Sequence, residues 1–153
     1  MGNRRRSREL ALQTLYALDR KKRQGDSASV EEAIVHMQTW AQEGTDEDES
    51  ESVETGADIE NFAEELVRGV LDNLETIDAK LGEYSTNWKV PRMALVDRNV
   101  LRLAAFELIH IKDIPPRVTL NEAIEVAKRY GSNDSGAFIN GILDRIASLE
   151  RKH

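Results

Sequence analysis

Between Pro91 and Pro115 the chain carries a segment whose apolar residues would face almost every side of a helix. Met93, Leu95, Val96, Val100, Leu101, Leu103, Ala104, Phe106, Leu108 and Ile109 leave no broad polar face to meet water. A helix of that pattern is stable only when other elements surround it. The spacing predicts a central buried helix over 92–111, opened by Pro91 and stopped by Pro115 and Pro116. Everything else in the chain must then supply amphipathic partners for it.

The remaining segments meet that demand. Ala11, Leu15 and Leu18, with Leu12 beside them, predict a helix over 6–20. Ala33, Ile34, Met37 and Trp40 predict a second over 30–41. Ile59, Phe62, Ala63, Leu66, Val70, Leu71 and Leu74 form the cleanest stripe, with Asp58 placed as its N-cap. A break near Leu74 starts another helix, over 74–84. Thr119 and Glu122 read as a capping box for a helix through Leu120, Ala123, Ile124 and Ala127, and Gly131 as its C′ glycine. The last helix covers about 134–151, with Ile139, Ile142, Leu143 and Ile146 as its stripe. No period-two alternation and no internal repeat occurs, so the expected fold class is all-α. The acidic tract at about 43–57 lacks aromatic residues and periodicity, and is expected to be a flexible loop.

Several function classes fall away. A chain of 153 residues is about one domain. There is no cysteine, and the three histidines (His36, His110, His153) are far apart in sequence, so no cofactor or metal site is expected. Phosphate-loop, zincin and serine-hydrolase motifs are absent, which argues against an enzyme. The segment GSNDSG lies between two helices and lacks the lysine that a phosphate loop needs. No apolar run is long enough to span a membrane, and the basic N-terminus has no apolar stretch behind it, so a cytoplasmic protein is expected.

The net charge of −7 hides a basic head. Residues 1–24 hold eight Lys or Arg and two acids, whereas 25–67 hold fourteen acids and no Lys or Arg. Binding responds to local potential, so the head carries more weight than the total. Arg4, Arg5, Arg6 and Arg8 form an Arg-rich arm over 1–8 whose guanidinium forks suit RNA phosphates and bases. Its alternative is a solubilising terminus. Arg8 continues the Ala11 and Leu15 side, so part of the arm should lie against the domain. Tyr16 and Phe138 sit about 100° round their helices from Leu15 and Ile139, at stripe edges where an aromatic packs a rim or faces a ligand. Asp97, Arg98 and Arg102 stand on the otherwise apolar central helix; they pair internally or reach a binding surface. Gly136 and Gly141 weaken the last helix unless another backbone or a ligand comes close.

Three strings combine these features: RRRSRELALQTLYAL, then NEAIEVAKRYG and FINGILD within the second half. Together they closely resemble the bacterial NusB family at both ends and from about 87 to 147; the acidic middle departs from it. The resemblance implies a single RNA-binding domain over 1–153, built as two small helical bundles. It implies a transcription antitermination factor rather than an enzyme, pairing with the small-subunit ribosomal protein NusE. The pair would bind boxA RNA in rRNA operon leaders and join the RNA polymerase antitermination complex. Carried over by residue, Arg4, Arg5, Arg6 and Arg8 fall on the arginine-rich motif, and Tyr130, Asp134 and Phe138 on positions near RNA. Tyr16 and Asp97 fall where the family meets NusE or the adjoining RNA; Arg98 and Arg102 are grouped with them as partner contacts. Similar helical domains also occur fused to RNA cytosine methyltransferases, and a protein-only adaptor is a further alternative. No cofactor-binding domain is expected beside this one.

Overall fold

In the computed structural model the described residues are 2–27, 29–43, 56–85 and 88–150. They form seven α-helices: α1 (Gly2–Arg23), α2 (Val30–Glu43), α3 (Gly56–Asp72), α4 (Leu74–Tyr84), α5 (Leu95–His110), α6 (Pro116–Tyr130) and α7 (Ser135–Glu150). A 3-10 turn, Val90–Arg92, precedes α5. No strand occurs among the described residues. Most of the acidic tract, 44–55, lies outside them. The chain divides into two compact units, Met1–Arg68 and Gly69–His153, with the boundary inside α3.

In the first unit α1 packs on α2. Leu10, Ala11, Leu12 and Leu15 of α1 are buried, as are Ile34 and Met37 of α2 and Ile59, Phe62, Ala63 and Leu66 of α3. Helix α1 begins four residues before the predicted start, and contacts with other helices hold that extra turn. Ser7 Oγ donates to the Ile59 carbonyl at 2.8 Å, and the Arg4 guanidinium lies 3.8 Å over the Phe62 ring. Arg68 ties α2 to α3, bonding both carboxylate oxygens of Glu31 at 3.0 Å and Glu64 Oε2 at 2.9 Å. The hydrogen bonds and charge of Arg68 hold the Glu31 carboxyl below its ordinary value. A depressed carboxyl stabilises the fold above the ordinary carboxylate range and ceases to do so as the pH falls through its lowered pKa. Because Glu31 is exposed, the contribution is small.

In the second unit α5 packs against α4, α6 and α7. Every residue from Arg98 to Leu108 is buried, so the all-round apolar segment is the central helix that its composition demands. It starts later than predicted, however. Pro91 nucleates the 3-10 turn, and Met93 and Ala94 are extended (ψ 148° and 143°), so α5 opens only at Leu95. The α3–α4 break falls at Asn73, whose side-chain amide donates to the Gly69 carbonyl at 2.8 Å.

Two end signals are read differently by the fold. Helix α6 starts at Pro116, with proline at N1, three residues before the expected capping box. Thr119 is therefore an interior residue, 1% exposed, and its hydroxyl donates to Glu107 Oε1 at 3.2 Å. Gly131 does follow α6, but with φ −102° and ψ −159° it is extended rather than left-handed. Close approach explains this glycine: a Cβ there would lie 2.5 Å from Ser135 Oγ and 2.8 Å from the Ala127 carbonyl.

Gly69 is constrained more severely. A Cβ at Gly69 would lie 2.1–2.7 Å from three atoms of the Phe106 ring, which is 7% exposed and stacked on His110 at 5.1 Å. Gly69→Ala should cost about 1–3 kcal/mol through overpacking, despite alanine's better helix propensity. Urea unfolding checks this, and Phe106→Leu in the Gly69→Ala background should recover part of the loss.

Candidate nucleic-acid interface

Arg4, Arg5, Arg6 and Arg8 do not form a free arm; all are helical residues of α1. Their exposure separates them. Arg4 and Arg5 are exposed, Arg6 is half-buried, and Arg8 is 5% exposed. Arg4 lies over Phe62 on the rim of a recess with Ser7, Asp58, Asn61 and Glu65. Arg6 Nη2 donates to the Trp40 carbonyl at 3.1 Å, which commits part of its fork. Arg8 also approaches the Phe62 ring, at 5.7 Å. Arg8 is buried on the helix face continuous with Ala11 and Leu15, which leaves its side chain little open surface for a phosphate. Tyr16 is half-buried on α1. At the other end of α1, Arg20, Lys21, Lys22 and Arg23 are all exposed, where cations complement the helix dipole.

In the second unit Tyr130 ends α6, with the Arg129 guanidinium 5.5 Å from its ring centre. Asp134 is exposed in the turn before α7, its carbonyl accepting the Phe138 N–H at 3.1 Å. Ser135 Oγ accepts the Ser132 N–H at 2.9 Å, which fixes that turn. Phe138 is half-buried and meets Trp88 edge-to-face at 6.0 Å. The fold thus gathers Tyr130, Asp134 and Phe138 at the α6–α7 corner.

Asp97, Arg98 and Arg102 of α5 diverge. Arg102 is 8% exposed and grips Asp78 of α4 bidentately, Nε to Oδ1 and Nη2 to Oδ2, both at 2.8 Å. Arg98 is 7% exposed, and its Nη1 donates to the Val90 carbonyl at 3.3 Å. Burial and internal bonding thus give both arginines a role in holding the fold. Asp97 behaves otherwise. It is half-buried, and its Oδ1 is enclosed without accepting a hydrogen bond among the described residues. An enclosed carboxylate oxygen without a donor is costly, so a donor brought by a partner would be stabilised there.

Trp88 is the residue that sequence reasoning passed over. It is 56% exposed, the largest side chain left so open among the described residues. The available signal was an aromatic in NWKVPR, belonging to no helical stripe and close to a proline.

Fold and site define a small all-α protein with arginines on its first helix and an open tryptophan beside its last. A NusB family profile matches residues 5–148. The transcription antitermination protein NusB of Geotalea daltonii is 49% identical over 152 residues, covering 97% of this chain and 96% of its own. That of Desulfitobacterium hafniense strain DCB-2 is 47% identical over 150 residues, covering 98% and 91%. Among solved structures, T. maritima NusB superimposes with a TM-score of 0.77 at 37% identity, covering 96% of this chain and 92% of that one. A structure of antitermination factors NusB and NusE in complex with dsRNA shares the fold, with a TM-score of 0.76 at 24% identity and coverage of 97% and 98%. The chain belongs to the NusB family.

Proposed function

We propose that this chain is a transcription antitermination factor which, with ribosomal protein NusE, binds boxA RNA of rRNA operon leaders. It then acts in the cytoplasm within the RNA polymerase antitermination complex. The carrying observation is near-full-length identity, 49% over 152 residues, with a protein named for antitermination. The shared fold with a NusB–NusE–dsRNA complex supports the choice of partners. The electrostatics fit as well, because α1 carries eight of the 21 Lys and Arg residues against two acids, on a molecule of net charge −7. In this reading Arg4, Arg5 and the open part of Arg6 meet phosphates, and Tyr130 and Phe138 meet bases. Asp97 and Tyr16 meet the protein partner. A charge-driven RNA binder of modest affinity gains from a partner that adds a second attachment.

The test is fluorescence anisotropy of a labelled boxA RNA titrated with this protein, with and without NusE. Tightening by NusE well beyond that for a scrambled RNA is the expected result. Binding to NusE with no specific RNA binding would instead favour a protein-only adaptor.

Asp134 offers a second check. An exposed carboxylate near RNA repels phosphate, whereas the amide keeps a hydrogen-bonding side chain without the charge. Asp134→Asn should tighten RNA binding several-fold at low salt, and the gain should shrink as salt rises. Equal or weaker binding in the same titration would remove Asp134 from the interface.

A further inference from the structure

Beside Phe138 the second unit has a recess of about 210 Å³ bordered by Tyr84, Trp88, Phe138, Gly141 and Arg145. It holds three aromatic rings and a guanidinium, and no carboxylate lines it among the described residues. Trp88 is held in place although exposed: Ser85 Oγ donates to its carbonyl at 2.7 Å, and its N–H donates to the Ser85 carbonyl at 3.2 Å. Its ring meets Phe138 edge-to-face, which leaves indole surface open to solvent. Arg145, exposed on α7, is anchored by one bond from Nη1 to the Tyr84 carbonyl at 2.9 Å.

Gly141 supplies an independent observation. It lies in the interior of α7, where glycine weakens a helix relative to alanine. Gly136 in the same helix is covered, and a Cβ there would make ordinary contacts with Ile124 and Lys128 at 3.6–3.8 Å. A Cβ on Gly141 would meet nothing within 4 Å. No described residue crowds this bare stretch of helix, and it floors the recess.

We infer that the recess is a single-nucleotide subsite for single-stranded RNA, with a base stacked on Trp88, the sugar over Gly141 and a phosphate at Arg145. Aromatic faces take any base by stacking, and a guanidinium fork suits a phosphate. The absence of a carboxylate favours this occupant over a basic peptide. The inference rests on the RNA-binding reading above and extends it to three residues that reading does not use.

The experiment uses the full chain with Trp40→Phe, so that Trp88 is the sole tryptophan, titrated with labelled single-stranded boxA RNA. Quenching of Trp88 emission should follow the anisotropy curve. Trp88→Ala should weaken binding about tenfold, and Trp88→Tyr should restore most of it, because stacking needs a ring rather than an indole. Gly141→Ala should weaken RNA binding severalfold while raising the melting temperature. A merely structural glycine cannot produce that opposed pair. If the parent binds RNA and neither Trp88→Ala nor Gly141→Ala changes its affinity, the subsite is overturned and the RNA-binding reading stands. Gly141→Ala melting below the parent would show a packing glycine and overturn the subsite too. Loss of NusE binding with RNA affinity intact would make the recess a protein contact. If the parent binds no RNA, both readings fall.

Discussion

Asp78→Ala is expected to lower stability by about 3 kcal/mol, close to 10 °C in melting temperature for a chain of this length. The substitution removes both 2.8 Å bonds to Arg102, whose guanidinium is 8% exposed. Breaking a buried pair usually costs about 3–5 kcal/mol, because the remaining charge is left in a poor solvent. The lower end applies here, since the Asp78 side chain is 28% exposed and water screens part of the interaction. Replacing both partners with apolar residues, Asp78→Leu and Arg102→Met, should recover most of the loss, as no charge is then stranded. Thermal unfolding followed by circular dichroism measures all three. If Arg102 instead served a partner surface, Asp78→Ala would leave stability almost unchanged and weaken complex formation.

The largest functional effect is expected in the salt dependence of RNA binding. Each phosphate neutralised on single-stranded RNA contributes about −0.7 to the slope of log K against log salt. Removing Arg4 and Arg5 together should make the slope shallower by about 1.4. Between 50 and 200 mM salt the parent should then lose roughly sevenfold more affinity than the double variant. Arg8→Ala should leave the slope unchanged, because that side chain is 5% exposed. It should instead destabilise the first unit, since the aliphatic stem of a buried arginine packs as an apolar group. A slope that falls equally for Arg4, Arg5 and Arg8 would mean that α1 unwinds on RNA and releases all its arginines.

Much of this architecture was legible in advance. The stripe from Ile59 to Leu74 and the all-round apolar run through α5 each report a burial pattern that only a helix among helices satisfies. Helix ends were less legible. Thr119 and Glu122 fit a capping box by spacing, but Pro116 opens α6 earlier and Glu107 takes the Thr119 hydroxyl. Gly131 was legible as a glycine site for the wrong reason, since the constraint is Ser135 Oγ and a carbonyl, not a left-handed φ. Among the candidate site residues, Tyr130, Asp134 and Phe138 do share one corner. Trp88 was missed because nothing local says that an aromatic between helices will stay 56% exposed.

By itself the sequence determined the helical class, the central position of α5 and the basic character of α1. These follow from periodicity and composition, which act over one or two helical turns. Only the tertiary structure decided which charges are available. Arg102 meets Asp78 twenty-four residues away, Arg6 meets Trp40 at thirty-four, and Ser7 meets Ile59 at fifty-two. Identical guanidinium groups therefore become a fold anchor or an exposed cation according to which distant acceptor the folded chain brings to them, and no local pattern encodes that pairing.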